Sequence, residues 1–280
     1  MASRFKYALR EAYGLLADIY ITEEAALYAN NKNNHGGWVS ARKFEITHKH
    51  VESELVTSFI LTPVDGKAVI AHKLGQYIGI KVKPQSAEYE AIRQYSLSQK
   101  SNAKNYRISV KKECQPKPGV VSNYLHSLGQ GARVELYPPA GDFILKNEAT
   151  PMVFISAGVG QTPMMAMLQT LLSDNSHQAI SYLHACENSR EFSFKEYLAQ
   201  QTAMHPQLKT FTWFNQGGEE CDFTGLMDLS VLEVSLPISE GVFYLCGPAS
   251  FMAYVKGQLL DLGVQSSNIH YEIFGPHQAL

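Results

Sequence analysis

The chain has 280 residues, of which 45% are hydrophobic and 18% charged, a composition typical of a globular protein of about two domains. Its formal net charge of −2 gives no electrostatic footprint for nucleic acid, and no apolar run approaches the roughly 20 residues of a membrane span, so we expect neither partner. The N-terminus lacks a signal-peptide core and the four cysteines form no CxxC pair, so we predict no metal site and a cytoplasmic location.

The first predicted unit, residues 1–37, consists of a helix and a linker. Apolar residues recur at helical spacing from Phe5 to Asn31, and an asparagine-rich turn follows. The apolar surface is too broad for one contact. The helix either docks on the next domain or belongs to a helical domain, and self-association would also cover it.

The second predicted unit, residues 38–150, is rich in short strands separated by turn residues. Closely spaced strands of this kind predict a small antiparallel β-barrel. A loop at Gly119 is expected to lead into a short helix capped by Ser122. The predicted strands are Arg42–Thr47, Leu55–Leu61, Tyr77–Val82, Ile92–Leu97, Tyr106–Val110 and Arg133–Tyr137.

In the third predicted unit, residues 151–280, strands alternate with helices. This alternation predicts a doubly wound parallel α/β sheet, with ligands at the carboxyl ends of its strands. The predicted strands are Met152–Ser156, Ala179–His184, Thr210–Phe214, Phe243–Cys246 and Ile269–Ile273. Helices are predicted over Pro163–Leu172, around Phe194–Gln201 and around Phe251–Leu260.

The motif Arg93-Gln94-Tyr95-Ser96 places a cation, an aromatic ring and a hydroxyl near one strand. The Arg93 guanidinium suits a diphosphate, and Tyr95 shares its strand face, so the ring could pack against a flavin. The motif alone is weak, because such residues are often ordinary surface and core residues. A helix N-terminus at Ser122 could hold the same diphosphate, although Ser122 could equally be a plain helix cap.

The run Gly158-Val159-Gly160-Gln161-Thr162-Pro163 follows a strand and opens a helix, which is the setting of a dinucleotide-binding turn. It departs from the GxGxxG fingerprint because proline replaces the third glycine. A second strand ends in Cys246-Gly247-Pro248, where a nicotinamide ring would lie. Cys246 could instead be a small buried hydrophobe.

In this order, and with Glu272-Ile273-Phe274-Gly275-Pro276 at the end, these motifs resemble those of the ferredoxin–NADP reductase superfamily. More narrowly, nearly the whole chain resembles the reductase part of bacterial flavohemoglobins, the nitric oxide dioxygenases. The run Glu11–Asp18 resembles the last helix of their globin domain. Ile273 is a departure, since we expect cysteine there.

The resemblance implies site residues for both cofactors. Those expected to contact FAD are Tyr77, Arg93, Gln94, Tyr95, Ser96, Gly119, Val121, Ser122, Phe274, Gly275 and Pro276. Those expected to hold NAD(P)H are Gly158, Val159, Gly160, Gln161, Thr162, Pro163, Cys246, Gly247 and Pro248. The expected catalytic residues are Tyr95, Ser96, Cys246, Glu272 and Phe274.

The resemblance also implies an activity, in which electrons pass from NADH or NADPH through FAD to globin heme for nitric oxide detoxification. Heme is not expected in this chain, because it begins after the positions of the globin ligands. A stand-alone NAD(P)H:flavin reductase is the alternative enzyme, and an inactive scaffold is the non-enzymatic one. NADH and NADPH both remain open, since the loop after His184 contains Glu187 and Arg190.

Overall fold

A computed structural model describes residues 36–84, 90–115, 117–146, 150–174 and 177–274. The predicted helix over Phe5–Asn31 and the predicted site residues Gly275 and Pro276 lie outside these ranges. In the described part of the chain, no helix has the length and apolarity to cross a membrane, and no group of three or more side chains could hold a metal ion.

The first sheet is a six-stranded antiparallel barrel. Its strands are β1 (Arg42–Val51), β2 (Val56–Pro63), β3 (Tyr77–Val82), β4 (Ala91–Ser96), β5 (Tyr106–Lys111) and β6 (Arg133–Leu136). They lie in the order β4-β3-β6-β1-β2-β5. An antiparallel bridge between Leu97 and Ile108 joins the two outer strands and closes the sheet. The predicted barrel is confirmed, with each strand end within a few residues of its expected position.

Alternation along the strands explains the barrel core. On β3, Ile78, Ile80 and Val82 point inward and are at most 5% exposed, because side chains of a strand alternate between its faces. Lys81 lies on the outer face, where its Nζ is 3.0 Å from a Glu90 carboxylate oxygen.

A short helix, α1 (Val120–Ser127), crosses from β5 to β6. The prediction that Ser122 caps this helix is wrong. The helix begins two residues earlier, Gly119 occupies the N-cap position, and no side chain caps it. Ser122 is the third helical residue, and its Oγ donates to the Gly119 carbonyl oxygen at 3.3 Å. Gly119 has an extended backbone (φ −69°, ψ 123°) and the helix starts directly after it at Val120, so Ser122 lies too far along the chain to be the N-cap.

The second sheet has six parallel strands in the order β10-β9-β8-β7-β11-β12. They are β7 (Met152–Ala157), β8 (Ile180–Cys186), β9 (Leu208–Phe214), β10 (Phe223–Thr224), β11 (Val242–Gly247) and β12 (Ile269–Ile273). From β7 the chain adds β8, β9 and β10 on one side, and it then returns to the other side of β7 to add β11 and β12. This order confirms the predicted doubly wound topology. The two-residue strand β10 was not expected.

Three helices cover the two faces of this sheet: α2 (Gln161–Ser173), α3 (Lys195–Met204) and α4 (Ala249–Asp261). Phe154 and Tyr244 face a core with residues of α2 and α3. Ile155 and Leu245, one position further along their strands, face a core with α4. Burial on both faces explains why these strands are almost continuously apolar.

Polar contacts join the barrel to the second sheet. Lys100 Nζ, in the loop after β4, lies 2.6 Å from Asp174 Oδ1 at the end of α2. At a second place, the Glu54 amide donates to the Arg190 carbonyl oxygen at 2.9 Å. The first contact lies at the far end of α2, which leads back to the start of β8, and the second lies just after β8, at the carboxyl edge of the sheet.

Candidate FAD and nicotinamide site

A cavity of about 320 Å³ is lined by residues of both sheets. The barrel and α1 supply most of the lining, and the second sheet adds Val159, Thr162 and Phe274. The lining residues from the barrel side are Arg93, Gln94, Tyr95, Ser96, Ser109, Lys111, Glu113, Gly119, Val120, Val121 and Ser122. The structure therefore brings together the two predicted motifs, which are more than sixty positions apart in sequence.

Strand β4 presents its whole predicted motif to the cavity. Arg93 is exposed, and its Nη1 donates to the Ile92 carbonyl oxygen at 2.8 Å, which leaves further guanidinium N–H groups for a ligand. Tyr95 is half-buried. Burial raises the pKa of its hydroxyl to about 12, the nearby Arg93 opposes this rise and Glu113 adds to it. Tyr95 is therefore a neutral hydrogen-bond donor at physiological pH.

The N-terminus of α1 faces the same cavity. The first N–H groups of a helix have no partner within the helix, and here no side chain caps them. A β-carbon on Gly119 would lie 2.6 Å from Ser122 Oγ, so a larger residue there would require the Ser122 side chain to move. This end of the cavity has the free donors and positive helix end that suit a phosphate group.

The glycine-rich turn after β7 lies directly against the end of β11. Gly158 has a φ of +52°, and the position of a β-carbon there is open. A β-carbon on Gly160 would lie only 2.2 Å from the Cys246 carbonyl oxygen. Thr162 Oγ1 donates to the Val159 carbonyl oxygen at 3.0 Å and fixes the turn. The first glycine thus gives the backbone its conformation, and the second permits the close contact.

Four polar side chains lie in register across the carboxyl edge of the parallel sheet. Ser156 is paired with His184 on one side and with Cys246 on the other, and Cys246 is paired with Glu272. Ser156 Oγ and His184 Nδ1 are 2.9 Å apart, and burial lowers the pKa of His184 to about 3. His184 is therefore a neutral residue of the sheet.

Cys246 and Glu272 share an apolar setting that keeps both protonated. Cys246 is fully buried. Burial raises the pKa of its thiol well above the usual range, and the neighbouring Glu272 raises it further. Burial also raises the pKa of the Glu272 carboxyl to about 8. Its Oε2 is buried and has no hydrogen-bond partner among the described residues, so this carboxyl group can serve a ligand as a donor.

Some predicted residues do not line the cavity. Tyr77 lies opposite Ser96 on β3, and its ring packs against Gly141, where a β-carbon would be 2.9 Å away. Gln161 is 1% exposed, and both atoms of its amide are buried without a partner among the described residues. The other predicted residues outside the lining are Gly158, Gly160, Pro163, Cys246, Gly247, Pro248 and Glu272.

Four lining residues were not predicted: Ser109, Lys111, Glu113 and Val120. The first three occupy alternate positions along and just beyond β5, so they share one face of that strand. A hydroxyl, an ammonium and a carboxylate at every second residue of a strand could have been recognised in the sequence as one polar face. Val120 carried no signal, because its place depends on where α1 begins.

The donor set fits a flavin dinucleotide beside a nicotinamide dinucleotide. Arg93 and the N-terminus of α1 provide the cationic groups for one diphosphate, and Tyr95 provides an aromatic surface. The turn at Gly158 opens α2 with room for a second diphosphate. A barrel joined to a doubly wound sheet around such a cavity defines the class of FAD- and nicotinamide-dependent oxidoreductases.

Comparison with known proteins identifies the family within this class. Residues 43–144 match the oxidoreductase FAD-binding domain family, and residues 154–257 match the oxidoreductase NAD-binding domain family. The chain is 47% identical over 272 residues to a flavohemoprotein of Vibrio cholerae, with 96% of this chain and 68% of that protein covered. The chain belongs to the flavohemoprotein family and corresponds to its FAD/NAD oxidoreductase module.

Solved structures agree with this assignment. The FAD/NAD-binding domain of Vibrio cholerae nitric oxide dioxygenase matches with a TM-score of 0.80 and 48% identity, covering 84% of this chain and 99% of that one. The flavohemoglobin of Malassezia yamatoensis, determined with bound FAD and heme, matches with a TM-score of 0.79 and 27% identity, covering 95% and 67%. The cytochrome b5 reductase domain of Ulva prolifera nitrate reductase shares the fold, at 21% identity, with a TM-score of 0.75 and coverage of 85% and 99%.

Proposed function

We propose that this chain passes electrons from NADH through FAD to a globin heme, and so supports the conversion of nitric oxide to nitrate. The observation that carries the proposal is the single cavity lined by the Arg93–Ser96 motif, by Val159 and Thr162 of the glycine-rich turn, and by Phe274. When bound, FAD accepts a hydride and releases electrons singly, and the protein supplies binding and orientation.

The barrel residues would bind FAD. Arg93 would form charge-assisted hydrogen bonds with the diphosphate, together with the free N–H groups that begin α1 after Gly119. Tyr95 and the exposed Phe274 would pack against the flavin from two sides. Ser96, which is 5% exposed, would donate a hydrogen bond at the reacting end of the ring system.

The second sheet would bind the nicotinamide dinucleotide. The turn from Gly158 to Pro163 would hold its diphosphate at the start of α2. The nicotinamide would approach the end of β11 at Cys246, and Phe274 would move aside to admit it. Glu272, whose protonated carboxyl has an Oε2 without a partner among the described residues, would then orient the nicotinamide through a hydrogen bond.

The end of β8 favours NADH over NADPH. Glu187 directly follows this strand, and its two carboxylate oxygens accept from Asn215 Nδ2 and Gln216 Nε2, each at 3.1 Å. A carboxylate at this position of a dinucleotide-binding fold binds the ribose 2′-hydroxyl and repels a 2′-phosphate. Arg190, the candidate phosphate ligand, points toward the barrel, with its Nε 3.6 Å from Glu54 Oε2.

The ratio of kcat/KM for NADH to that for NADPH tests this preference. We expect Glu187→Gln to lower the ratio by up to about fivefold, because an interaction between exposed charges, here the repulsion of the 2′-phosphate, is worth roughly 1 kcal/mol or less. Glu191→Gln, a charge change four positions further along, is the matched control and should leave the ratio unchanged. An unaltered ratio in Glu187→Gln would exclude the role of this carboxylate.

The spectrum and electron transfer of the purified chain test the main proposal. We expect tightly retained FAD, NADH-dependent reduction of ferricyanide, and reduction of the heme of an added flavohemoprotein globin domain. Loss of FAD on gel filtration, with activity restored only by free flavin, would favour a flavin reductase instead. A chain that binds FAD but does not react with NADH would refute the hydride step.

Three further parts of the proposal concern the whole chain. We propose a barrel domain over residues 38–150 and a nicotinamide domain over residues 151–280, following the two sheets. Self-association through the segment before residue 38 is proposed from its apolar pattern alone, and sedimentation analysis would test it. A cytoplasmic setting is proposed because all four cysteines are free thiols.

A further inference from the structure

A chain of buried hydroxyl groups leads from the cavity to the outside of the barrel. Ser109 lines the cavity from β5, and its Oγ is 2.7 Å from Ser58 Oγ on β2. Ser58 Oγ in turn donates to Glu52 Oε1 at 2.5 Å. Ser58 and Ser109 are 2% and 3% exposed. No water can interrupt contacts this short, so the three side chains form one continuous path.

The hydrogen bonds along this path have one direction. A carboxylate only accepts, so the Ser58 hydroxyl must donate to Glu52 and can only accept from Ser109. The Ser109 hydroxyl is then committed to Ser58, and its oxygen lone pairs remain available to accept. One lone pair meets Ser98, whose Oγ is 2.8 Å away, and the other can accept a proton from a ligand in the cavity that Ser109 lines.

We propose that Ser109, Ser58 and Glu52 form a relay that carries a proton from the cofactor in the cavity to the barrel surface. This relay rests on the FAD site of the proposed function, and it answers a need of that function, because reduced flavin must lose protons when its electrons leave. A proton arrives at Ser109 Oγ, the Ser109 proton moves to Ser58 Oγ, and the Ser58 proton moves to Glu52 Oε1. Each O–H bond that forms replaces one that breaks.

The surroundings of Glu52 suit a proton exit. Its side chain is 9% exposed, and its Oε2 lies 3.9 Å from Nε2 of His50, which is 75% exposed. The half-buried Arg107 also interacts with Glu52: this interaction raises the Arg107 pKa, against the larger effect of burial, which lowers it. The Glu52 carboxylate therefore ends the serine path beside an exposed imidazole and close to solvent, where a proton can leave the protein.

Proton release can be measured separately from electron transfer. FAD in the full chain is reduced photochemically, without NADH, and is then oxidised by ferricyanide in a stopped-flow instrument with a pH-indicator dye in weak buffer. In the wild type, we expect the proton signal to follow flavin oxidation without delay. In Ser58→Ala, we expect proton release at least tenfold slower than in the wild type, because the middle of the path is broken far from the cavity wall.

Ser98→Ala is the matched control. Ser98 is a fully buried serine of the same network, but it branches from Ser109 toward Arg107, whose Nε donates to Ser98 Oγ at 3.2 Å, and this branch contains no carboxylate that could accept the proton. We expect its variant to release protons at the wild-type rate, with FAD content and thermal stability comparable to those of Ser58→Ala. An equal delay in both variants would mean a structural effect and would overturn the relay.

A second variant keeps the test decisive if Ser58→Ala does not fold. Glu52→Gln removes the acceptor at the near-surface end, and we expect the same delay. Wild-type proton release in either Ser58→Ala or Glu52→Gln would refute the relay while leaving the proposed function intact. A wild-type chain that binds no FAD in a prior titration would refute the proposed function and the relay with it.

Discussion

Substituting Gly160 with alanine tests the contact between the glycine-rich turn and β11. A β-carbon there would lie 2.2 Å from the Cys246 carbonyl oxygen and 2.7 Å from the Gly247 nitrogen. Ordinary contacts are about 3.5 Å, so the turn must retreat by about 1 Å. Forced overpacking of this kind costs about 1–3 kcal/mol, or a fall in Tm of roughly 2–12 °C for a chain of this size. A misplacement of about 1 Å can lower a rate by up to about 100-fold.

The assay compares thermal unfolding, FAD content and NADH-dependent ferricyanide reduction in the variant. We expect Gly160→Ala to retain FAD and lose kcat/KM for NADH, because the added β-carbon would clash with the backbone of Cys246 and Gly247 at the end of β11. Gly257→Ala is the matched control, since Gly257 lies in α4, where a β-carbon meets nothing within 4 Å. A Gly160→Ala protein with unchanged Tm and unchanged kinetics would refute the reasoning.

Two further predictions concern charge at the site. Arg93→Ala should weaken FAD binding about 10- to 100-fold, because it removes charge-assisted hydrogen bonds worth roughly 1.5–3 kcal/mol. Flavin titration measures the affinity, and Arg133→Ala, a change of another exposed arginine, is the control. Equal FAD affinities of Arg93→Ala and the wild type would exclude the diphosphate role. Glu272 has a folded-state pKa raised to about 8, above the usual 4.5, so its contribution to stability is complete at low pH and is lost as pH rises from about 4.5 through 8. Glu272→Gln should flatten this decline in Tm, and parallel pH profiles of the two proteins would contradict the assignment.

The strands were predictable because turns and alternation are local. β3 and β12 begin and end at the predicted residues, since both have clear apolar patterns bounded by turn or polar residues. β10 was missed because its two residues are held by pairing with β9, a tertiary interaction that leaves no period in the sequence. Ser122 was misread because a serine near a predicted helix start usually caps it, whereas here the backbone turned earlier, after Gly119.

The cavity was predictable in its motifs but not in its contacts. Arg93 and the turn at Gly158 were expected to serve two halves of one reaction, and the fold brings their segments to one cavity. The contact of Gly160 with Cys246 depends on strand order, which the sequence does not state. NADH and NADPH stayed open for the same reason, because the partner of Arg190 is Glu54, in the turn between β1 and β2 of the barrel.

The carboxyl group of Glu272 sits on the outermost strand of the parallel sheet. Within the described part of the chain, β12 is hydrogen-bonded to β11 and to no strand on its other side. Outer strands open more readily than central ones, and such local opening appears as rapid amide hydrogen exchange. A five-residue strand can therefore fray and rejoin while the barrel and the remaining strands keep their structure. The acid nearest to Cys246 can thus exchange its proton with water by a local fluctuation that costs far less free energy than unfolding.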